Sequence, residues 1–294
     1  MSEAHLHLQS WSLPLAALAL VVESIYFRGW LSLRSALPHL VGGWRLAAFT
    51  TGVVSVWIGV GSPLATLDHR SLTIHMMKHL VLMTVGAPLL LAGAPVFPLV
   101  CGLPKLFIKS YPPLASVPTR WLERCRRHPM VCWLAGTVAV IGWHIPVAFQ
   151  SGMQSQGLHD LEDMSFLVAG ILFWSPIVNF SPSAARSPRW SMALYLFVAT
   201  LPCDILSAFL AFCNRQVYPG YFSTTEIFKL SALQDQQCAG ALMWVWVTFA
   251  YLIPAVVITM QILSPGNLQS NKAERCGWRP NRSSLPNGTE AEVL

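Results

Sequence analysis

Charge is what this sequence has least of. Asp, Glu, Lys and Arg together supply 11% of its 294 residues, whereas an ordinary soluble domain carries about 25%. So few charges cannot cover a surface that faces water. With 54% hydrophobic residues and a mean hydropathy of +0.51, the chain reads as a membrane protein rather than a globule. Its twelve tryptophans fit that class, because indole rings favour the membrane–water interface. Other absences narrow the field. The seven cysteines form no CxxC pair, so no disulfide framework is expected. There is no HExxH, which would set a glutamate base beside a zinc-binding histidine pair, and no CxxCH for an attached haem. The net charge of +6 does not signal nucleic acid, since the basic residues fall in short loops between apolar runs. The opening MSEAHLHLQS lacks the basic start of a secretory signal, so the first apolar run is expected to stay as a helix.

What is present is long apolar runs. Seven are close to the roughly 20 residues that a bilayer core requires, at about 12–30, 44–64, 72–93, 128–149, 159–180, 190–212 and 235–263. The expected fold is an all-α bundle of seven transmembrane helices over residues 1–264, followed by a disordered tail over 265–294. Pro88 is expected to kink the third helix by removing a backbone hydrogen bond, and Pro95 to end it. Fifteen of the 19 basic residues fall in the first, third and fifth loops and the tail, which predicts an outside N-terminus and a cytoplasmic C-terminus. Residues 101–127 form a basic segment that either sets orientation or lies on anionic lipid.

With that orientation, the ionisable residues collect at the outer ends of the helices. The third helix opens as SLTIHMMKH, with His75 and His79 four residues apart. That spacing puts both rings on one face, where they can converge on one metal ion. His144 lies at the outer end of the fourth helix, His159, Asp160, Glu162 and Asp163 at the start of the fifth, and Asp235 at the start of the seventh. Asp68 and His69 close the second, and Asp204 lies deeper in the sixth. Met76, Met77, Met83 and Met153 add thioethers, which favour Cu(I) over hard cations; at most one of Met76 and Met77 shares the His75/His79 stripe. Lys78 either snorkels outward or pairs with Asp160, Glu162, Asp163 or Asp235. Spacing leaves open that the histidines merely hydrogen-bond neighbouring helices and that the acids favour helix N-termini. Whether Cys213 and Cys238 pair is also left open.

Four stretches carry a resemblance. HMMKHLVLMTVGAPLLLAGAP, GWHIPVAF, LHDLEDMSFLVAGILFWSPI and DQQCAGALMWV resemble the polytopic CtaG-type cytochrome c oxidase assembly factors over about residues 60–262. That family is distinct from the single-span copper chaperone that shares its name in some bacteria. The resemblance implies a multi-pass protein of the bacterial plasma membrane that matures a haem–copper oxidase through the copper centre of its catalytic subunit. Its matching positions are His75, His79, His144, His159, Glu162 and Asp235. One position departs: where the family often carries a histidine after the glutamate, this chain has Asp163, a poorer Cu(I) ligand.

The leading expectation is a non-enzymatic assembly factor that handles copper, Cu(I) rather than Cu(II), for cytochrome c oxidase subunits. His75, His79, His144 and His159 are its expected ligands, with Met76, Glu162 and Asp235 secondary. The alternatives are a zinc-dependent intramembrane hydrolase, a haem-binding electron carrier using His79 and His144, and a copper transporter lined by Asp204 and Met83. Lipid amidase activity, a Soret band and metal flux would respectively mark them.

Overall fold

The computed structural model describes residues 3–34, 42–62, 67–104, 124, 128–178, 189–218 and 230–263. These form α1 (Glu3–Arg34), α2 (Gly43–Gly61), α3 (Leu72–Val81), a π-helical turn (Leu82–Gly86), α4 (Ala87–Ala92), α5 (Val96–Gly102), α6 (Pro129–His144), α7 (Pro146–Gln154), α8 (Gln156–Val178), α9 (Arg189–Phe212) and α10 (Ala232–Leu263). The described residues contain no strand. Six helices, counting α3 through α4 as one, are long and apolar enough to cross a membrane, and the α6–α7 pair makes a seventh if taken together. Most of the basic loop 101–127, Arg186, Lys229 and the tail from 264 lie outside the described residues. The charge count that sets the orientation rests largely on them.

Where Pro88 predicts a kink, the third span changes helical register. Pro88 cannot donate to the carbonyl four residues back and its ring crowds that turn. The helix answers by widening into the π register over Leu82–Gly86. Two indoles hold this turn: Trp174 Nε1 donates to Met83 O (2.9 Å) and Trp246 Nε1 to Thr84 Oγ1 (2.8 Å). Gly170 lets α8 cross the turn closely, since a Cβ there would lie 3.0 Å from Met83 Cα and 2.9 Å from its carbonyl oxygen. The span ends at Ala92, and Ala94 takes a left-handed φ of 48° before Pro95 starts α5.

The fourth span is not the straight segment expected over 128–149. It breaks by 75° between α6 and α7. Pro146 pushes Ile145 into an extended conformation (φ −65°, ψ 127°), so α6 ends at His144 after 16 residues, about 24 Å of helix. The turned segment α7 folds back over the first turns of α8. Between α1 and α2, Tyr26 and Phe49 stack with ring centroids 3.8 Å apart, and Tyr26 Oη donates to Gly93 O at 2.8 Å. The larger core packs α3, α8, α9 and α10 around Met76, Phe173, Leu196, Leu210 and Met243. A wide apolar cavity of about 570 Å³ separates α1 and α2 from α8; Asp163 is its one ionisable lining residue.

Candidate metal centre

The site is organised by the start of α3. Leu72 N and Thr73 N donate to the two carboxylate oxygens of Asp235 at 2.6 and 3.2 Å, and the hydroxyls of Ser71 and Thr73 donate to Asp235 Oδ1 at 3.0 and 2.6 Å. A carboxylate from α10 thus caps the first turn of α3, satisfying backbone donors that the helix itself cannot. Asp235 therefore fixes the helix that carries the histidines and joins neither group of converging donor atoms.

One turn further, His75 and His79 project from the same face with ring centroids 4.4 Å apart. They meet α8, whose first turns present His159, Glu162 and Asp163. Glu162 Oε1 lies 3.5 Å from His75 Nε2 and 3.8 Å from His79 Nε2, and Glu162 Oε2 lies 3.5 Å from His159 Nδ1. His79 Nε2 donates to Asp163 Oδ1 at 3.2 Å. Asp68, in the short link between α2 and α3, accepts from His159 Nε2 at 2.9 Å and from Lys78 Nζ at 2.6 Å. Lys78 also reaches Asp163 Oδ1 at 2.9 Å. Two groups of donor atoms lie within 4.8 Å of one another, His75–His79–Glu162 and Asp68–His75–His159, and His75 belongs to both. Every member is buried.

The electrostatics favour a cation. Among the described residues, three buried carboxylates, Asp68, Glu162 and Asp163, face a single ammonium, Lys78. Uncompensated buried charge is costly, so the cluster attracts positive charge. At Asp68, burial opposes ionisation, but the His159 hydrogen bond and the Lys78 charge outweigh it and hold the carboxyl well below the usual carboxylate range. The donors also fit a metal ion. His75 is 0% exposed and, among the described residues, neither ring nitrogen has a hydrogen-bond partner; His79 Nδ1, His159 Nδ1 and Glu162 Oε2 also lack one there. Phe149 of α7 packs edge-on against His75 (5.3 Å), and Tyr218 stacks behind Phe149 (4.3 Å) and donates to His144 O (3.0 Å). Gly152 keeps α7 close: a Cβ there would lie 3.1 Å from Glu162 Oε2. The bend at Pro146 is thus what roofs the cluster.

Of the expected ligands, His75, His79, His159 and Glu162 come together. His144 lies outside both groups; its Nδ1 donates to Val140 O at 2.6 Å, its Nε2 is buried and unpartnered, and with His79 it lines a narrow cavity of about 40 Å³. Met76 is buried on that same cavity wall, whereas Met77 is 40% exposed. A cavity this small leaves no room for haem between His79 and His144. Cys213 and Cys238 are both free thiols. Sequence reasoning passed over Asp68 as a site residue. Its signal was proximity along the chain, since seven residues tie it to His75.

The fold and site define a class first: a multi-pass helical membrane protein with a roofed, buried cluster of imidazoles and carboxylates near one end of its bundle. The family follows from comparison. Residues 24–264 match the cytochrome c oxidase caa3 assembly factor family (Caa3_CtaG), and the chain belongs to it. It is also 23% identical over 224 residues to an uncharacterized protein of Mycobacterium bovis and, equally, to one of Mycobacterium tuberculosis. Each match covers 74% of this chain but 34% of the relative, so the chain spans about a third of the length of the curated relatives it matches. No solved structure matches the chain.

Proposed function

We propose that this assembly factor binds copper in the His75–His79–Glu162 cluster and hands it to a subunit of a haem–copper oxidase. The observation that carries the reading is His75, fully buried and shared by both donor groups: among the described residues its Nδ1 has no polar partner and its Nε2 meets only Glu162 Oε1, at 3.5 Å. A buried polar side chain left this way costs about 1–3 kcal/mol, which a bound ion recovers. His159 and Asp68 supply the adjoining donors, and Lys78 balances part of the carboxylate charge. The metal is cargo, so the protein acts by binding and release rather than catalysis.

Family membership supports an oxidase client and a bacterial plasma membrane. The loop charges support an N-terminus outside, which would turn the cluster toward the extracytoplasmic leaflet. The apolar cavity reaching Asp163 supports a handover sideways, within the bilayer, to a membrane-embedded acceptor. The test is metal content. Purified wild-type protein is expected to retain copper and His75→Ala/Glu162→Gln to lose the cluster-bound ion, with oxidase activity falling in cells that carry the variant. Equal copper in the two proteins would refute the reading.

A further inference from the structure

The narrow cavity beside the cluster is walled in an unusual way. Three thioethers, Met76, Met83 and Met243, and the Cys203 thiol line it, together with His79 and His144. All six side chains are buried. They arrive from α3, the π turn, α6, α9 and α10, so five elements bring sulfur or imidazole to one space. The widened turn matters here, because it carries Met83 and is pinned by Trp174 on that residue's own carbonyl.

Both imidazoles on the wall are set as lone-pair donors. A carbonyl oxygen can only accept, so the bond from His144 Nδ1 to Val140 O fixes the proton on Nδ1 and leaves a lone pair on Nε2. That Nε2 is buried and has no partner. His79 donates from Nε2 to Asp163, which leaves its Nδ1 with the lone pair and likewise without a partner. Packing alone explains buried methionines; it does not explain two bare imidazole acceptors beside them.

We infer that this cavity is an inner binding site for a soft monovalent metal ion, Cu(I) in the cell, held by thioether sulfur and imidazole nitrogen. The inference rests on the copper reading and deepens it by adding a second site, distinct from the carboxylate-lined cluster. Thioethers and neutral imidazoles select soft ions. They also carry no charge, and the cost of burying an ion rises with the square of its charge, so a monovalent ion is favoured over Zn²⁺ or Cu²⁺. Cys203 must lose a proton to ligate, so the thioethers and imidazoles carry the site. His79 lies on both the outer cluster and the inner wall, which makes the two sites neighbours; with its Nε2 donating to Asp163, its one lone pair serves only one ion at a time.

The test uses full-length protein in detergent, titrated anaerobically with Cu(I), and with Ag(I) as a redox-inert mimic, against a competing chelator. X-ray absorption then reads the scattering atoms. Met83→Leu/Met243→Leu conserves volume and keeps the fold. It is expected to lose one equivalent of Cu(I) and the sulfur shell, or to weaken inner binding by at least about tenfold, while Zn²⁺ binding stays unchanged. His75→Ala, off the cavity wall, is expected to keep the sulfur-bound ion. Unchanged Cu(I) affinity in the methionine variant, or a wild-type spectrum with nitrogen and oxygen scatterers alone, would overturn the inner site and leave the outer cluster standing. Copper lost with the methionines but unaffected by His75→Ala/Glu162→Gln would instead support the inner site and sink the outer one.

Discussion

Replacing Asp235 separates two roles that its residue type permits. The geometry makes it a cap: two backbone N–H groups and two hydroxyls of residues 71–73 donate to its carboxylate, which is 2% exposed. Asp235→Ala removes the acceptor and orphans Leu72 N and Thr73 N. Losing an N-cap costs about 0.5–2 kcal/mol, and a buried donor left unsatisfied costs about 1–3 kcal/mol, so the sum lies at about 1.5–5 kcal/mol. Asp235→Asn keeps the size and one carbonyl oxygen. Its amide NH₂ can face a hydroxyl that rotates but not a backbone N–H, so about 1–2 kcal/mol is expected. The assay is thermal unfolding in a fixed detergent, with a midpoint drop of roughly 2–8 °C for the alanine variant. Copper titration of the same samples, below the midpoint, should show unchanged stoichiometry. Unchanged stability combined with lost copper would refute the cap and make Asp235 a ligand.

Two further perturbations test the frame around the cluster. Lys78→Met strips the ammonium from Asp68 and Asp163 and should destabilise by about 3–5 kcal/mol; Lys78→Met/Asp163→Asn should recover part of it, and an additive double-mutant cycle would count against the pairing. Ala94→Gly relieves the left-handed backbone at φ 48° and should stabilise by about 1 kcal/mol, read as a raised unfolding midpoint; a lowered one would contradict the strain.

Much of the bundle was legible because a bilayer demands apolar length, a property that sequence displays directly. The HxxxH pair was legible for the same kind of reason: helical spacing converts position into facing. Pro88 announced a kink, but the π register also depends on Trp174, Trp246 and Gly170, which reach Met83 and Thr84 from other helices. The turn at Pro146 was visible in WHIP, yet counting apolar residues through it merged two helices into one span. Asp235 shows the limit most clearly. An acid in the first turn of α10 reads as complementing its own helix, whereas its partners are 162 to 164 residues away. Asp68 was placed with the ionisable residues at the same end of the bundle but given no ligand role, because a residue between apolar runs has no helical spacing to set its facing.

A resident lysine gives the cluster a counterion that never diffuses away. Lys78 spans Asp68 and Asp163 at 2.6 and 2.9 Å, tethering the α2–α3 link to α8 by its own covalent stem. Under the function proposed above, these acids would keep their spacing between one bound ion and the next, and exchange would then depend on the roof of Phe149 and Tyr218 rather than on reassembly of the donors beneath it.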